Sequence, residues 1–241
     1  MTQIKLVVFD MAGTTVKDNN EVEQCFVDAA QKTNLPYTKA DILSMMGWSK
    51  IKVFETLWAK ASPESNENSV KKIALQSFLT FRDILENHYR TNSVEPTDGC
   101  IEIFELLHSN NIKIALTTGF YREVTNIILS RLEWDKNLDE NYRGKSNSII
   151  DLSISSDEVA NGRPEPDMIK KAMQITGINN PAQVINIGDT PSDLLSGKKA
   201  GCIYSLGVCN GTHTREQLEN IPNDGLLNNI GELVNYLNLE N

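Results

Sequence analysis

The chain has 241 residues, 40% of them apolar and 23% charged, proportions ordinary for a globular protein with one large domain or a core carrying an insertion. Its net charge of −9 argues against nucleic acid and anionic membranes; no apolar run reaches membrane-span length and the N-terminus lacks a signal-peptide pattern, so a cytoplasmic location is expected. Cys25, Cys100, Cys202 and Cys209 form no C-x-x-C pair, and His88, His108 and His213 are scattered, so no zinc site is indicated.

Ile4 to Phe9 (I-K-L-V-V-F) is rich in β-branched and apolar residues and predicts a buried strand. Asp10 follows at its carboxyl end, where open α/β sheets place their ligands. The turn after it, Met11 to Thr15, offers backbone N–H groups and hydroxyls that suit an anion or a metal-bound phosphoryl group. An aspartate that merely caps a turn fits the same residues. Residues 20 to 92 show helical patterns and no convincing strand: Val22 to Lys32, Lys39 to Met45, Lys50 to Ala59 and Val70 to Tyr89. They read as a helical insertion between the polar linkers Lys17 to Asn20 and Thr91 to Asp98. The chain then divides into a core of residues 1–17 and 95–241 and a cap of residues 18–94.

Beyond residue 97, strands and helices alternate. Asp98 to Asn110 is helical, with Ile101, Phe104 and Leu107 at helical spacing; Ile112 to Thr118 is a strand, Arg122 to Leu132 a helix and Leu152 to Ser155 a short strand. Pro166 to Gly177 is helical, Val184 to Gly188 a strand, Ser192 to Gly201 a helix, Ile203 to Val208 a strand and Ile230 to Leu239 a C-terminal helix. This predicts an α/β fold, a mostly parallel sheet with helices on both faces. Three further polar groups fall after strands: Thr117, Thr118 and Gly119; Arg163 in Asn-Gly-Arg-Pro-Glu-Pro; and Asp189 and Asp193 in Gly-Asp-Thr-Pro-Ser-Asp. Each alone fits plain turn or cap chemistry. Together with Asp10 they bring carboxylates, hydroxyl donors and a cation to one edge of one sheet.

This order, D-x-A-G-T, T-T-G, R-P-x-P and G-D-x-x-x-D, resembles the haloacid dehalogenase superfamily over essentially the whole chain. The resemblance implies a Rossmann-like core with an inserted all-helical cap, an aspartate nucleophile and a Mg²⁺ cofactor. By position it makes Asp10 the nucleophile and a metal ligand, Asp189 a second ligand and the carbonyl of Ala12 a third, with Asp193 in the ion's outer shell. Thr118, Gly119 and Arg163 become the phosphate-binding residues.

Phosphatases of that superfamily carry an aspartate two residues after the nucleophile, as acid for the leaving alcohol. Ala12 has no proton to give, and general-acid assistance is typically worth about 10²–10⁴-fold in rate. D-x-A-G-T, with an arginine where most relatives have lysine, is instead similar to the phosphonatase (phosphonoacetaldehyde hydrolase) family, which splits a carbon–phosphorus bond. That family's M-G-x-x-K pattern is matched by Met46, Gly47 and Lys50. The match implies a cap pocket at Met46 and Gly47 and a Schiff base on Lys50; Lys52 has the wrong offset from Gly47. A surface lysine starting a helix is the other reading of Lys50.

Three positions depart from the phosphonatase pattern. Val53 stands where that family has a histidine, Phe120 (followed by Tyr121) where it has a tyrosine, and Asn20 near its pocket cysteine. The departures fit a sister group of phosphonatase-like hydrolases acting on another 2-oxoalkyl phosphonate through an aspartyl phosphate and a lysine Schiff base. A Mg²⁺-dependent phosphomonoester phosphatase, phosphoglycolate phosphatase-like, is the alternative, and a non-enzymatic phosphate-binding protein a further one. The expected partner is a small-molecule phosphonate or phosphate, with no nucleic acid and no membrane; a homodimer is left open.

Overall fold

The computed structural model describes residues 3–237. Strands β1 (Leu6–Phe9), β2 (Lys113–Thr118), β3 (Leu152–Ser155), β4 (Val184–Gly188), β5 (Tyr204–Val208) and β6 (Gly225–Leu227) pair in parallel throughout, in the order β3-β2-β1-β4-β5-β6. β1 lies inside the sheet and is buried at every position. That is why its sequence is an unbroken apolar run rather than an alternating one. Its side chains still alternate between faces: Leu6 and Val8 join the apolar cluster that includes Met168, Ile169 and Ala172, while Val7 and Phe9 join the larger cluster on the other side.

Helices cover both faces. They are α5 (Cys100–Ser109), α6 (Arg122–Arg131), α7 (Asp167–Thr176) and α8 (Pro191–Ala200), each between two strands, as the sequence pattern predicts. Between β1 and β2 come α1 (Glu21–Lys32), α2 (Lys39–Ser44), α3 (Lys50–Ala61) and α4 (Glu67–Thr91), the inserted helical cap. Its interior is aromatic: Phe26 of α1 stacks on Phe81 of α4 at 4.3 Å between ring centroids, with Phe54 of α3 at 5.4 Å from Phe26. One buried polar chain ties the same three helices, Trp58 Nε1 donating to Ser77 Oγ and Ser77 Oγ to Thr33 Oγ1, both at 2.9 Å. The two connections to the core run side by side, where the Lys17 amide donates to the Glu95 carbonyl and Val16 bridges to Pro96.

The C-terminal region differs from the sequence expectation. Residues 230–239 read as an α-helix, but Ile230–Tyr236 forms a three-ten helix; Leu239 lies outside the described residues. Ile230 and Leu233 are its buried side chains, and a spacing of three puts both on one side of a three-ten helix. The short helix α9 (Arg215–Glu219) and the three-residue strand β6 carry too little periodicity to be seen in the sequence. Among the described residues no helix is long and apolar enough to cross a membrane.

Candidate active site

The strand order reverses direction beside β1: β2 and β3 lie on one side of it, β4 to β6 on the other. Parallel sheets open a crevice at such a point, outside the carboxyl ends of the strands. Asp10 directly follows β1 and Asp189 directly follows β4, so both carboxylates fall at that crevice. Asp193 joins them from the first turn of α8, where Thr190 caps the helix by accepting from the Asp193 amide. One ligand atom from each of Asp10, Asp189 and Asp193 lies within 4.8 Å of the others, and all three residues are buried.

Three buried carboxylates cannot all ionise without a counter-charge. Arg163, reached from the loop between β3 and α7, supplies one: its Nη1 pairs with Asp10 Oδ1 and lies 2.8 Å from Asp193 Oδ1. Its Nη2 donates to the Thr117 carbonyl at 2.9 Å. One cation is insufficient. Burial, opposed by Arg163 and reinforced by Asp193 and Asp189, pushes Asp10 up to about 8. Burial and Asp193 push Asp189 up to about 7.

The donor set fits a hard divalent cation such as Mg²⁺. It consists of carboxylate oxygens, and Asp193 Oδ1, buried and ion-paired with Arg163, accepts no hydrogen bond among the described residues. Asp189 is held in a fixed orientation, Oδ2 accepting from the Thr212 amide at 2.6 Å and Oδ1 from Thr14 Oγ1 at 3.3 Å. A Cβ at Gly13 or Gly211 would strike this carboxylate, so the backbone wraps it closely. Removing the one cation should expose the electrostatic cost. Arg163→Leu is expected to destabilise the metal-free protein by about 3 kcal/mol, the scale for orphaning a buried ion pair. Urea denaturation in EDTA measures this, and Mg²⁺ should restore part of the loss.

The cap closes the crevice. Gly47, at φ +82°, packs against Thr190 and Ser192, and the Ser192 hydroxyl donates to the Met46 carbonyl at 3.0 Å. On the other side a Cβ at Gly119 would strike the carbonyl oxygens of Gly47 and Trp48. Met46, Gly47, Thr118, Gly119 and Ala12 therefore all line one cavity with Asp10 and Lys50. Its volume is about 20 Å³, room for about one water. Thr118 Oγ1 accepts from the Phe120 amide at 3.1 Å, which leaves its own proton free to donate.

Lys50 is the first residue of α3 and is only 4% exposed. Among the described residues no carboxylate forms an ion pair with its Nζ; instead the Phe120 ring is centred 5.0 Å away and the Phe26 ring 5.5 Å away. Burial, partly opposed by the Asp10 charge, brings its amine down to about 8. Lys52 points outward to Glu55 on the exposed face of the cap. Val53 is buried in the cap's apolar interior and the Tyr121 hydroxyl is tied to Glu86, so of Phe120 and Tyr121 it is Phe120 whose ring lies beside Lys50. A cleft of about 480 Å³ opens between cap and core on the far side of Lys50, walled by Ser49, Phe78, Arg82, Tyr121 and Tyr142.

The sequence profile of haloacid dehalogenase-like hydrolases matches residues 7–206. The chain belongs to that family. Among curated relatives of this hydrolase, a bifunctional phosphonoacetaldehyde hydrolase/aminoethylphosphonate transaminase from Clostridioides difficile is 27% identical over 239 residues. That match covers 93% of this chain and 35% of the relative, so the hydrolase spans about a third of that protein's length. A phosphonoacetaldehyde hydrolase from Bacillus cereus is 28% identical over 253 residues, covering 99% of this chain and 89% of the other. The structure of a phosphonoacetaldehyde hydrolase-like protein from Oleispira antarctica aligns with a TM-score of 0.75 at 18% identity, covering 98% of this chain and 92% of that one.

Several residues of this hydrolase's cavity are absent from the sequence reading. Thr190 and Thr212 line it, and so does Asp18, which the sequence reading leaves in a linker. The signal for Asp18 is local: D-x-x-E just before an amphipathic run is a helix-start pattern. Asp18 Oδ1 does accept from the amides of Glu21 and Val22 at 2.8 and 3.3 Å.

Proposed function

We propose that this hydrolase cleaves the carbon–phosphorus bond of a 2-oxoalkyl phosphonate, with Asp10 as nucleophile and Lys50 as Schiff-base residue. The observation that carries the reading is Lys50: a buried lysine without an ion-pair partner among the described residues, lining the same narrow cavity as Asp10. Burying an ammonium in that way costs several kcal/mol, and the cost falls if the group is held as the amine. With the amine brought down to about 8 from an ordinary 10.5, about a tenth of it is neutral at pH 7, and only the neutral amine adds to a carbonyl.

The residues divide the work. Lys50 condenses with the substrate carbonyl, losing water, and the resulting iminium accepts electrons. An oxygen of Asp10 attacks phosphorus, the carbon–phosphorus pair moves onto carbon, and the carbon fragment remains on Lys50 as an enamine while phosphorus becomes an aspartyl phosphate. Arg163 exchanges its contact with Asp10 for the phosphoryl oxygens, and the Thr118 hydroxyl and Gly119 amide donate to them. Asp10, Asp189 and the Ala12 carbonyl would hold Mg²⁺, with Asp193 beside it, and the ion would neutralise charge on the phosphoryl group. Hydrolysis of the enamine-derived iminium and of the aspartyl phosphate returns both side chains. Ala12 is compatible with this division because no alkoxide leaves.

The relatives described above carry phosphonoacetaldehyde hydrolase in their names, which supports the same reaction class. The testing experiment offers phosphonoacetaldehyde, 2-oxopropylphosphonate and phosphoglycolate in parallel with Mg²⁺ and measures phosphate release. Release from a carbonyl-bearing phosphonate, with borohydride trapping its carbon fragment on Lys50, is the expected result. Turnover of phosphoglycolate alone, unaffected by Lys50→Arg, would replace this reading with the phosphomonoesterase.

A further inference from the structure

A cavity of about 20 Å³ sets a problem for imine chemistry, which must move protons on and off nitrogen, oxygen and carbon where there is room for about one water. Of the residues lining that cavity, the ionisable ones are Asp10, Asp18 and Lys50. Asp10 is bonded to phosphorus for part of the cycle and Lys50 is bonded to carbon. Asp18 alone of the three keeps a free side chain throughout.

Its position is unusual in a second way. Asp18 also lines a separate polar cleft of about 180 Å³ at the junction of cap and core, together with Lys17, Asn19, Asp98 and Asn210. The Lys17 and Asp98 side chains there are 41% and 92% exposed, so this cleft reaches solvent. Asp18 thus lines both the narrow cavity it shares with Asp10 and Lys50 and a cleft that reaches water, while Lys50 also borders the larger cleft on its other side. Oδ1 is engaged by the amides of Glu21 and Val22, which fixes the carboxyl at the border of the two cavities. Asp18 hydrogen-bonds to neither Asp10 nor Asp189.

Resting on the Schiff-base reading of Lys50, we infer that Asp18 is the proton relay between Lys50 in the narrow cavity and solvent in the junction cleft. As the carboxylate it takes one proton from the Lys50 ammonium by way of water in the cavity they share. The freed amine adds to the carbonyl carbon, and one of its remaining protons moves to the carbonyl oxygen. As the acid, Asp18 then gives its proton to the carbinolamine hydroxyl; the C–O bond breaks, water leaves and the iminium forms. After the carbon–phosphorus bond breaks, a proton entering from solvent through Asp18 is delivered to the enamine carbon. Asp18 ends each exchange as it began.

The surroundings tune the group for this. Burial and the neighbouring Glu21 push the Asp18 carboxyl up to about 7, close to the about 8 of Lys50, so a proton passes between them with little bias. The ionisable groups around it are Lys17 on its own segment, Glu21 and Cys25 of α1, Lys50 of α3, Tyr89 of α4, and Asp10 and Asp189 of the core.

Three variants of the chain test the relay, with 2-oxopropylphosphonate as probe and the rate of borohydride-trappable adduct on Lys50 as readout. Asp18→Asn keeps the acceptor for the Glu21 and Val22 amides but carries no transferable proton. It should slow trapping about 10²-fold or more while the final extent of adduct is unchanged. Asp18→Glu should keep a tenth or more of the parental rate. In Asp18→Ala, added formate should restore the rate in proportion to its concentration. Trapping at the parental rate in Asp18→Asn overturns the relay and leaves the Lys50 reading intact. Slowing that neither glutamate nor formate reverses also overturns it, because Asp18 then only caps α1. Absence of any adduct on Lys50 in the parent protein removes the Schiff-base reading and the relay together.

Discussion

Lys50→Arg is expected to lower phosphonate cleavage by more than about 10³-fold, equivalent to roughly 4 kcal/mol of transition-state stabilisation. Arginine keeps a positive charge in the cavity but stays protonated and forms no imine with the substrate. The charge-retaining change therefore separates covalent from purely electrostatic work by this residue. Installing the acid that ordinary phosphatases use, Ala12→Asp, in the Lys50→Arg background should not restore cleavage, because a proton for an alcohol does nothing for a carbon leaving group. The same change in the parent is expected to bring weak activity on phosphate esters. Phosphonate turnover that survives Lys50→Arg at a tenth of the parental rate would contradict the covalent role.

Magnesium should matter as much, and its effect should depend on pH in a definite sense. Excess EDTA is expected to abolish phosphate release, and Asp189→Asn to raise the Mg²⁺ concentration needed for half activity by tenfold or more, an effect of about 1.4 kcal/mol. Asp10 and Asp189 are pushed up to about 8 and about 7 in the folded protein, from an ordinary 3.8. Between the ordinary and the raised values the folded chain binds more protons than the unfolded one. Its stability from these groups is full below an ordinary carboxylate's pKa and is lost as pH rises through 7 and 8. Mg²⁺ competes with those protons and needs the carboxylates ionised. The increase in Tm caused by Mg²⁺ should accordingly be larger at pH 8 than at pH 6. Equal increases at the two pH values, or full activity in EDTA, would show that these carboxylates do not hold the ion.

The alternation of strands and helices was legible because each element carries its own periodicity. β3 and β4 fall where their residues predict, and other boundaries shift by one to a few residues. The positions of Asp10, Thr118, Arg163 and Asp189 after their strands were legible for the same local reason. Lys50 was not decidable locally. Its sequence surroundings suit either a solvated helix start or a buried amine, and only the docking of the 46–48 loop on Gly119 and Ser192 carries it inside. Those contacts join residues more than 70 positions apart, beyond the reach of any sequence window. Asp18 was missed because a helix-capping aspartate and a cavity-lining one look the same until the cap is folded over β1. The C-terminal segment differs for another reason: Ile230, Leu233 and Leu237 are buried at spacings of three and four, which suit an α-helix as well as the three-ten helix that forms.

The interlock of Gly47, Gly119 and Ser192 leaves a resting chamber with room for about one water. A substrate can therefore enter only the fraction of molecules in which cap and core have parted, and its apparent dissociation constant is the intrinsic one divided by that fraction. Selectivity begins at this gate, before any bond is made. On the proposed reaction, a ligand that bridges the two halves, with its phosphorus end on the core and its carbonyl end on the cap, would offset the work of separating them. A compound that touches the core alone gains nothing from re-closure and is released. The same door must reopen for the products, so the rate of its swing is a ceiling on turnover that no improvement in the chemistry could lift.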